Sequence, residues 1–131
     1  MRGFADDIEV LTEENPHFRR VLYTAKNLQL VLMALRPGEE IGEEVHQDRD
    51  QFFRVEEGEG EIRIDGARTP LKSGMAMIVP AGARHNVKNI GAEPLKLYTI
   101  YAPPEHVDGT VHATKPDAEG SEEHFDGRTT E

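Results

Sequence analysis

A chain of 131 residues, 37% apolar and 31% charged, has material for one compact domain with one core and one pocket, not for a catalytic domain plus a separate cofactor domain. Its 25 acidic against 15 basic residues leave a formal charge of −10, and no basic stripe with interleaved aromatics offsets it, so nucleic acid is excluded as a partner. There is no cysteine, which removes disulfides and thiolate ligands and leaves imidazole, carboxylate and amide groups to build any metal site.

No segment approaches the unbroken apolar run of roughly 20 residues that a membrane-spanning helix needs. The start, MRGFADDIEV, lacks the apolar stretch of a secretory signal, so the expectation is a soluble, cytoplasmic protein with no membrane partner. In chain order, the first candidate element is Asp7 to Glu14. Its Ile8, Val10 and Leu11 do not choose between a short helix and an edge segment, and Asp6 or Asp7 as a cap favours the helix.

From Phe18 to Ala102 the chain breaks into short runs of β-branched, aromatic and Leu residues separated by Gly, Pro, Asn and Asp. Strands are predicted at 19–24, 28–36, 43–47, 51–56, 60–64, 75–79, 86–89 and 95–101. Turns fall at 26–27, 37–38, 58–60, 65–66, 80–82 and 91–94, where the residues present suit positive or fixed φ. About eight short strands with tight connections predict an all-β barrel or jelly roll of residues 18–102, preceded by a segment 1–17. From Pro103 to Glu131 the composition turns to Pro, Gly, Asp, Glu and Ser, which predicts an extended, partly disordered acidic tail.

Glu44 and His46 are two apart, so on a strand they share a face. Gln51 opens the next strand with the parity of Phe53 and Val55, and an antiparallel return would bring it opposite the first pair. His85 comes from a third segment, after the turn in VPAGARHNV. Four donors can thus meet inside a barrel walled by Met33, Phe53 and Val87, and a site of two nitrogens and two oxygens, one of them anionic, suits one divalent Zn, Mn, Fe, Ni or Co ion and not calcium.

These residues carry a resemblance. PGEEIGEEVHQDRDQFFRVEEG and GMAMIVPAGARHNVKN are similar to the two motifs of the cupins: Gly38, Glu44, His46, Gln51 and Gly58 fall at the first motif's spacings, and Gly74, Pro80, Gly82, His85 and Asn89 at the second's. Two ligand positions depart from the family pattern, since Glu44 stands where the first His usually stands and Gln51 where the Glu usually stands. The resemblance implies a single-domain cupin β-barrel (a double-stranded β-helix, or jelly roll), metal ligation by Glu44, His46, Gln51 and His85, a small-molecule substrate and a homodimer, with Asp7 to Tyr23 as the candidate contact. The alternative for His46 and His85 is an ordinary pair of pocket histidines in a cupin without metal. For Gln51 it is an outer position that orients a water.

The chain also resembles mannose-6-phosphate isomerase-like cupins, and the zinc phosphomannose isomerases hold their metal with one Gln, one Glu and two His. That implies an isomerase in which the metal polarises a carbonyl and a base moves a proton between neighbouring carbons. His106, in the tail, is the candidate catalytic base, with a solvated tail histidine as the plain alternative. Lys26 and Arg84 are candidates for an anionic substrate group. The other functions weighed are a metal-dependent dioxygenase of a small organic substrate, built on a two-His, one-carboxylate set, and a non-catalytic binding module.

Overall fold

The computed structural model describes all 131 residues, Met1–Glu131. Helix α1 (Ile8–Glu14) is capped by Asp7, whose carboxylate accepts the Val10 N–H. Ten strands follow: β1 (Arg19–Thr24), β2 (Gln29–Leu35), β3 (Glu44–Val45), β4 (Asp50–Glu57), β5 (Gly60–Ile64), β6 (Ala67–Leu71), β7 (Ala76–Val79), β8 (Arg84–Asn89), β9 (Leu95–Ala102) and β10 (Val111–His112). Helix α2 (Lys115–Glu119) comes last.

The strands form two antiparallel sheets, one ordered β10-β1-β2-β9-β4-β7 and the other β3-β8-β5-β6. Their inner faces meet in one cluster of 16 buried residues, among them Val31, Met33, Leu35, Phe53, Val55 and Leu97 from the first sheet and Ile62, Leu71 and Val87 from the second. Period-two burial along β4, β8 and β9 places these apolar side chains inward. The all-β jelly-roll barrel expected from the sequence is the fold observed.

Three differences in the elements have physical reasons. Strand β6 was not anticipated, because four of the five residues of ARTPL are exposed and show no apolar alternation. It forms because Asp65 (φ 46°) and Gly66 (φ 86°) turn the chain back at positive φ, so that Ile64 pairs with Ala67. Strand β3 is confined to Glu44–Val45, well short of the predicted 43–47. The tail, expected to be extended and partly disordered, instead adds a strand and a helix. β10 pairs with β1 at Arg19–His112, Thr114 caps α2 in a reciprocal capping box with Asp117, and Phe125 N–H reaches Glu105 C=O. The tail is held by backbone hydrogen bonds to the barrel, which composition does not reveal.

One glycine of the first motif has a clear steric role. Gly58 has φ 93°, and a Cβ there would lie 2.5 Å from the Pro94 carbonyl oxygen and 3.0 Å from Leu95 Cα. Only glycine lets the end of β4 pass this close to the start of β9.

Candidate metal centre

The site lies at one end of the barrel, where the two sheets bring donors from separate strands together. Glu44 of β3 pairs directly with His85 of β8, so their side chains share the inner face. His46, just past the end of β3, returns to that face by alternation. From the other sheet, Gln51 of β4 is paired with Tyr101 of β9, and both point inward. The ligating atoms of Glu44, His46 and His85 all lie within 4.8 Å of one another.

The hydrogen bonding around this cluster leaves its donors facing each other. His85 Nδ1 is 3.2 Å from the Ala83 carbonyl, which can only accept, so a neutral ring that donates there from Nδ1 has its lone pair on Nε2. That Nε2 is 3.2 Å from Gln51 Oε1. The amide cannot usefully be turned over: Thr99 hydroxyl donates to Phe52 C=O at 2.8 Å and therefore accepts from Gln51 Nε2 at 2.9 Å, leaving Oε1 aimed at the imidazole. With the proton on Nδ1, two acceptors confront each other across the gap, an arrangement that a cation relieves. His46 Nε2 is 2.8 Å from Glu44 Oε2, yet it is buried and makes no hydrogen bond, because the carboxylate lies off the ring's N–H direction. The residues present fit a divalent ion, with two imidazole nitrogens, one carboxylate and one amide oxygen as donors.

Charge in the site is mutually adjusted. Burial pushes the Glu44 carboxyl up, but contact with His46 and the charges of His46, Arg19 and His85 outweigh it and hold it below the usual carboxylate range. The same Glu44 contact holds His46 above the usual imidazole range. Tyr101 is fully enclosed, and burial, then the Glu44 charge, raise its phenol far above the ordinary value. Its ring stands edge-on between His46, with centroids 5.8 Å apart, and His106, at 5.3 Å.

The tail brings His106 to this end of the barrel, buried rather than solvated. Gln29, buried in β2, accepts the His106 N–H at 2.9 Å and the Glu105 N–H at 3.2 Å, and donates to the His106 C=O at 2.8 Å. Glu123 takes His106 Nδ1 on one oxygen at 2.6 Å and the Val107 N–H on the other at 2.8 Å. His106 Nε2 is left buried without a partner. Glu105 is ion-paired with Arg49 and lies 3.7 Å from His46 Nδ1. Arg19, Glu44, His46, Glu105, His106 and Glu123 line a cavity of about 390 Å³.

Arg84 and Lys26 are not brought to this cavity. Arg84 alternates outward from His85, 3.9 Å from Glu43 on the outer sheet face, and Lys26 is exposed in the β1–β2 turn. Four residues of the site were not singled out from the sequence: Arg19, Gln29, Tyr101 and Glu123. The inward parity of Tyr101 with Thr99 on β9 was a usable signal. Nothing local marks Glu123, which sits in the acidic run EGSEEHFDG of the tail expected to be extended and partly disordered.

Comparison with known proteins agrees with this geometry. The Cupin domain family matches residues 31–101. The uncharacterized protein YrkC of Bacillus subtilis (strain 168) is 45% identical over 128 residues, covering 93% of this chain and 69% of that protein. The crystal structure of BH2720 from Bacillus halodurans superposes with a TM-score of 0.90 at 45% identity, over 92% of this chain and 96% of that one. TT1209 from Thermus thermophilus does so with a TM-score of 0.68 at 32% identity, over 76% and 96% of the two chains. The fold, the matched residues and these relatives place the chain in the cupin family, as a small cupin built on one barrel.

Proposed function

We propose that this cupin is a metal-dependent enzyme acting on a small molecule, with Glu44, His46, His85 and Gln51 as ligands and an aldose–ketose type of isomerisation as its reaction. The observation that carries the reading is the meeting of His85 Nε2 with Gln51 Oε1 beside the Glu44–His46 contact, four donor atoms turned toward one another at one end of the barrel. A divalent ion held there would supply Lewis-acid polarisation of a substrate carbonyl and its neighbouring hydroxyl.

The chain's own residues would do the rest. His106 is the base that the isomerase reading requires. Glu123 fixes its Nδ1, Gln29 fixes its backbone, and the free Nε2 is the atom that takes and returns a proton. The tail forms one wall of the cavity, with Glu105, His106 and Glu123 facing Glu44 and His46 across it. A phosphate on the substrate has little support, because Glu105 and Glu123 line the same cavity and would repel a dianion.

A dioxygenase is the second reading, favoured by the two-His, one-carboxylate composition of the three-residue cluster. Protein purified without added metal is assayed by elemental analysis, then for aldehyde–ketone interconversion and for oxygen uptake. Interconversion without oxygen supports the isomerase; turnover only with iron and consumed oxygen replaces it with the dioxygenase. Bound metal with neither activity leaves the non-catalytic binding module.

A further inference from the structure

We infer that the cavity beside the metal cluster is a binding site for a small organic acid, with the substrate carboxylate seated on Arg19. The inference deepens the metal-dependent reading above and rests on it for the position of the substrate's other end. Arg19 opens β1, paired with Met33 on one side and His112 on the other. It is only 8% exposed.

A guanidinium cannot shed its proton, so a buried one demands an anion. This one has none. Its Nε makes no hydrogen bond, and its single polar partner is His112 Nδ1 at 3.4 Å, with the Phe18 ring 5.4 Å from the guanidinium carbon. Burial, and then the Arg19 charge, push His112 down, so that ring faces Arg19 as a neutral acceptor. The carboxylates close enough to feel Arg19 are already engaged: Glu44 with His46, and Glu123 with His106 and the Val107 N–H. Glu105 is taken by Arg49.

Arg19 lines the same cavity of about 390 Å³ as Glu44, His46 and His106, so one small molecule can touch both the guanidinium and the cluster. The charge count selects its class. Four donors with one carboxylate among them would leave a divalent ion net positive, and Arg19 adds a second positive charge with no carboxylate bonded to it. A planar monoanion matches the guanidinium fork two bonds to two, whereas a tetrahedral phosphate dianion would bring a second negative charge beside Glu105 and Glu123, which line the same cavity. The free Nε2 of His106 is a second unpartnered atom on the same wall, suited to a hydroxyl of the ligand.

The test is calorimetric titration of the full-length, metal-loaded protein and of its Arg19→Met and Arg19→Lys variants. The probes are acetate, pyruvate, malonate and benzoate, with glyceraldehyde as a neutral control and inorganic phosphate as a second anion. At least one carboxylate is expected to bind, in preference to glyceraldehyde and phosphate, and Arg19→Met is expected to weaken it about 10- to 100-fold, with Arg19→Lys between. Equal binding by Arg19→Met, equal or tighter binding of phosphate, or no binding by any carboxylate would each overturn the inference. If Arg19→Met does not fold, the Arg19→Lys loss and the wild-type preference decide. Metal content is read on the same samples: a metal-free protein with an Arg19-dependent carboxylate site sinks the metal reading alone, and a metal-loaded protein without that site sinks this inference alone.

Discussion

At the scale of single residues, the unusual feature is that the carboxylate of the donor set sits two positions before His46, while the position five after it holds an amide. Glu44 pairs with His85 across β3 and β8, and Gln51 Oε1 faces His85 Nε2, so both positions open onto the same space. His85→Ala and Glu44→Ala are expected to abolish stoichiometric metal in elemental analysis while leaving the far-ultraviolet dichroism of the barrel intact. Retention of full metal content by either variant would refute the ligand assignment. Glu123 gives a pH prediction. Burial raises its carboxyl, but the His106 hydrogen bond and the Val107 N–H outweigh this and lower it. Because the folded value lies below the unfolded one, the contribution to stability is complete above the ordinary carboxylate range and is lost as pH falls through the lowered value. The melting-temperature gap between wild type and Glu123→Gln should therefore be open near neutral pH and shrink in acid; a gap independent of pH would contradict it.

At the scale of elements, the site depends on close passage between strands. Gly58 directly follows β4 where a side chain would strike Pro94 and Leu95, and its φ of 93° adds backbone strain for any other residue. Gly58→Ala should cost about 1–3 kcal/mol of unfolding free energy in denaturant titration, from strain at positive φ together with the clash. A loss below the error of such a titration would mean that the β4–β9 approach yields easily. Asn89, the last residue of the second motif, plays a comparable part: buried at the end of β8, it donates to the carbonyls of Leu35 and Glu93 and accepts the Gly91 N–H. The motif residues thus divide between the cluster and the turns that hold its strands in place.

At the scale of the whole molecule, barrel and tail have separate duties. None of the 16 core residues lies beyond Tyr101, and all four proposed ligands precede it. A chain ending at Gly120 is expected to keep the barrel's dichroism and its metal, and to lose whatever activity depends on His106, because Glu123 goes with the deletion. Loss of metal together with the tail would show that the two are not independent. We propose that two copies pair through Asp7–Tyr23, a stretch that includes α1 with its exposed Val10. Light scattering on a chain lacking the residues before Pro16 tests it, and an unchanged dimer would sink it.

What the amino-acid order determined by itself was whatever depends on spacing. Alternation placed Gln51 with Phe53 and Val55 and Glu44 with His46, turn residues marked the strand ends, and the two motifs pointed to Glu44, His46 and His85, which the fold brings together. What only the tertiary structure decided was whatever depends on partners distant in the chain. Strand β6 has no apolar pattern and exists because a positive-φ turn lays it beside β5. The acidic tail reads as solvent-loving and is ordered by hydrogen bonds to β1, β2 and Glu105. Arg19 looks like any strand-edge cation until β10 covers it. A residue's parity is local information, but its burial and the charge left uncompensated around it are sums over neighbours that no local window contains.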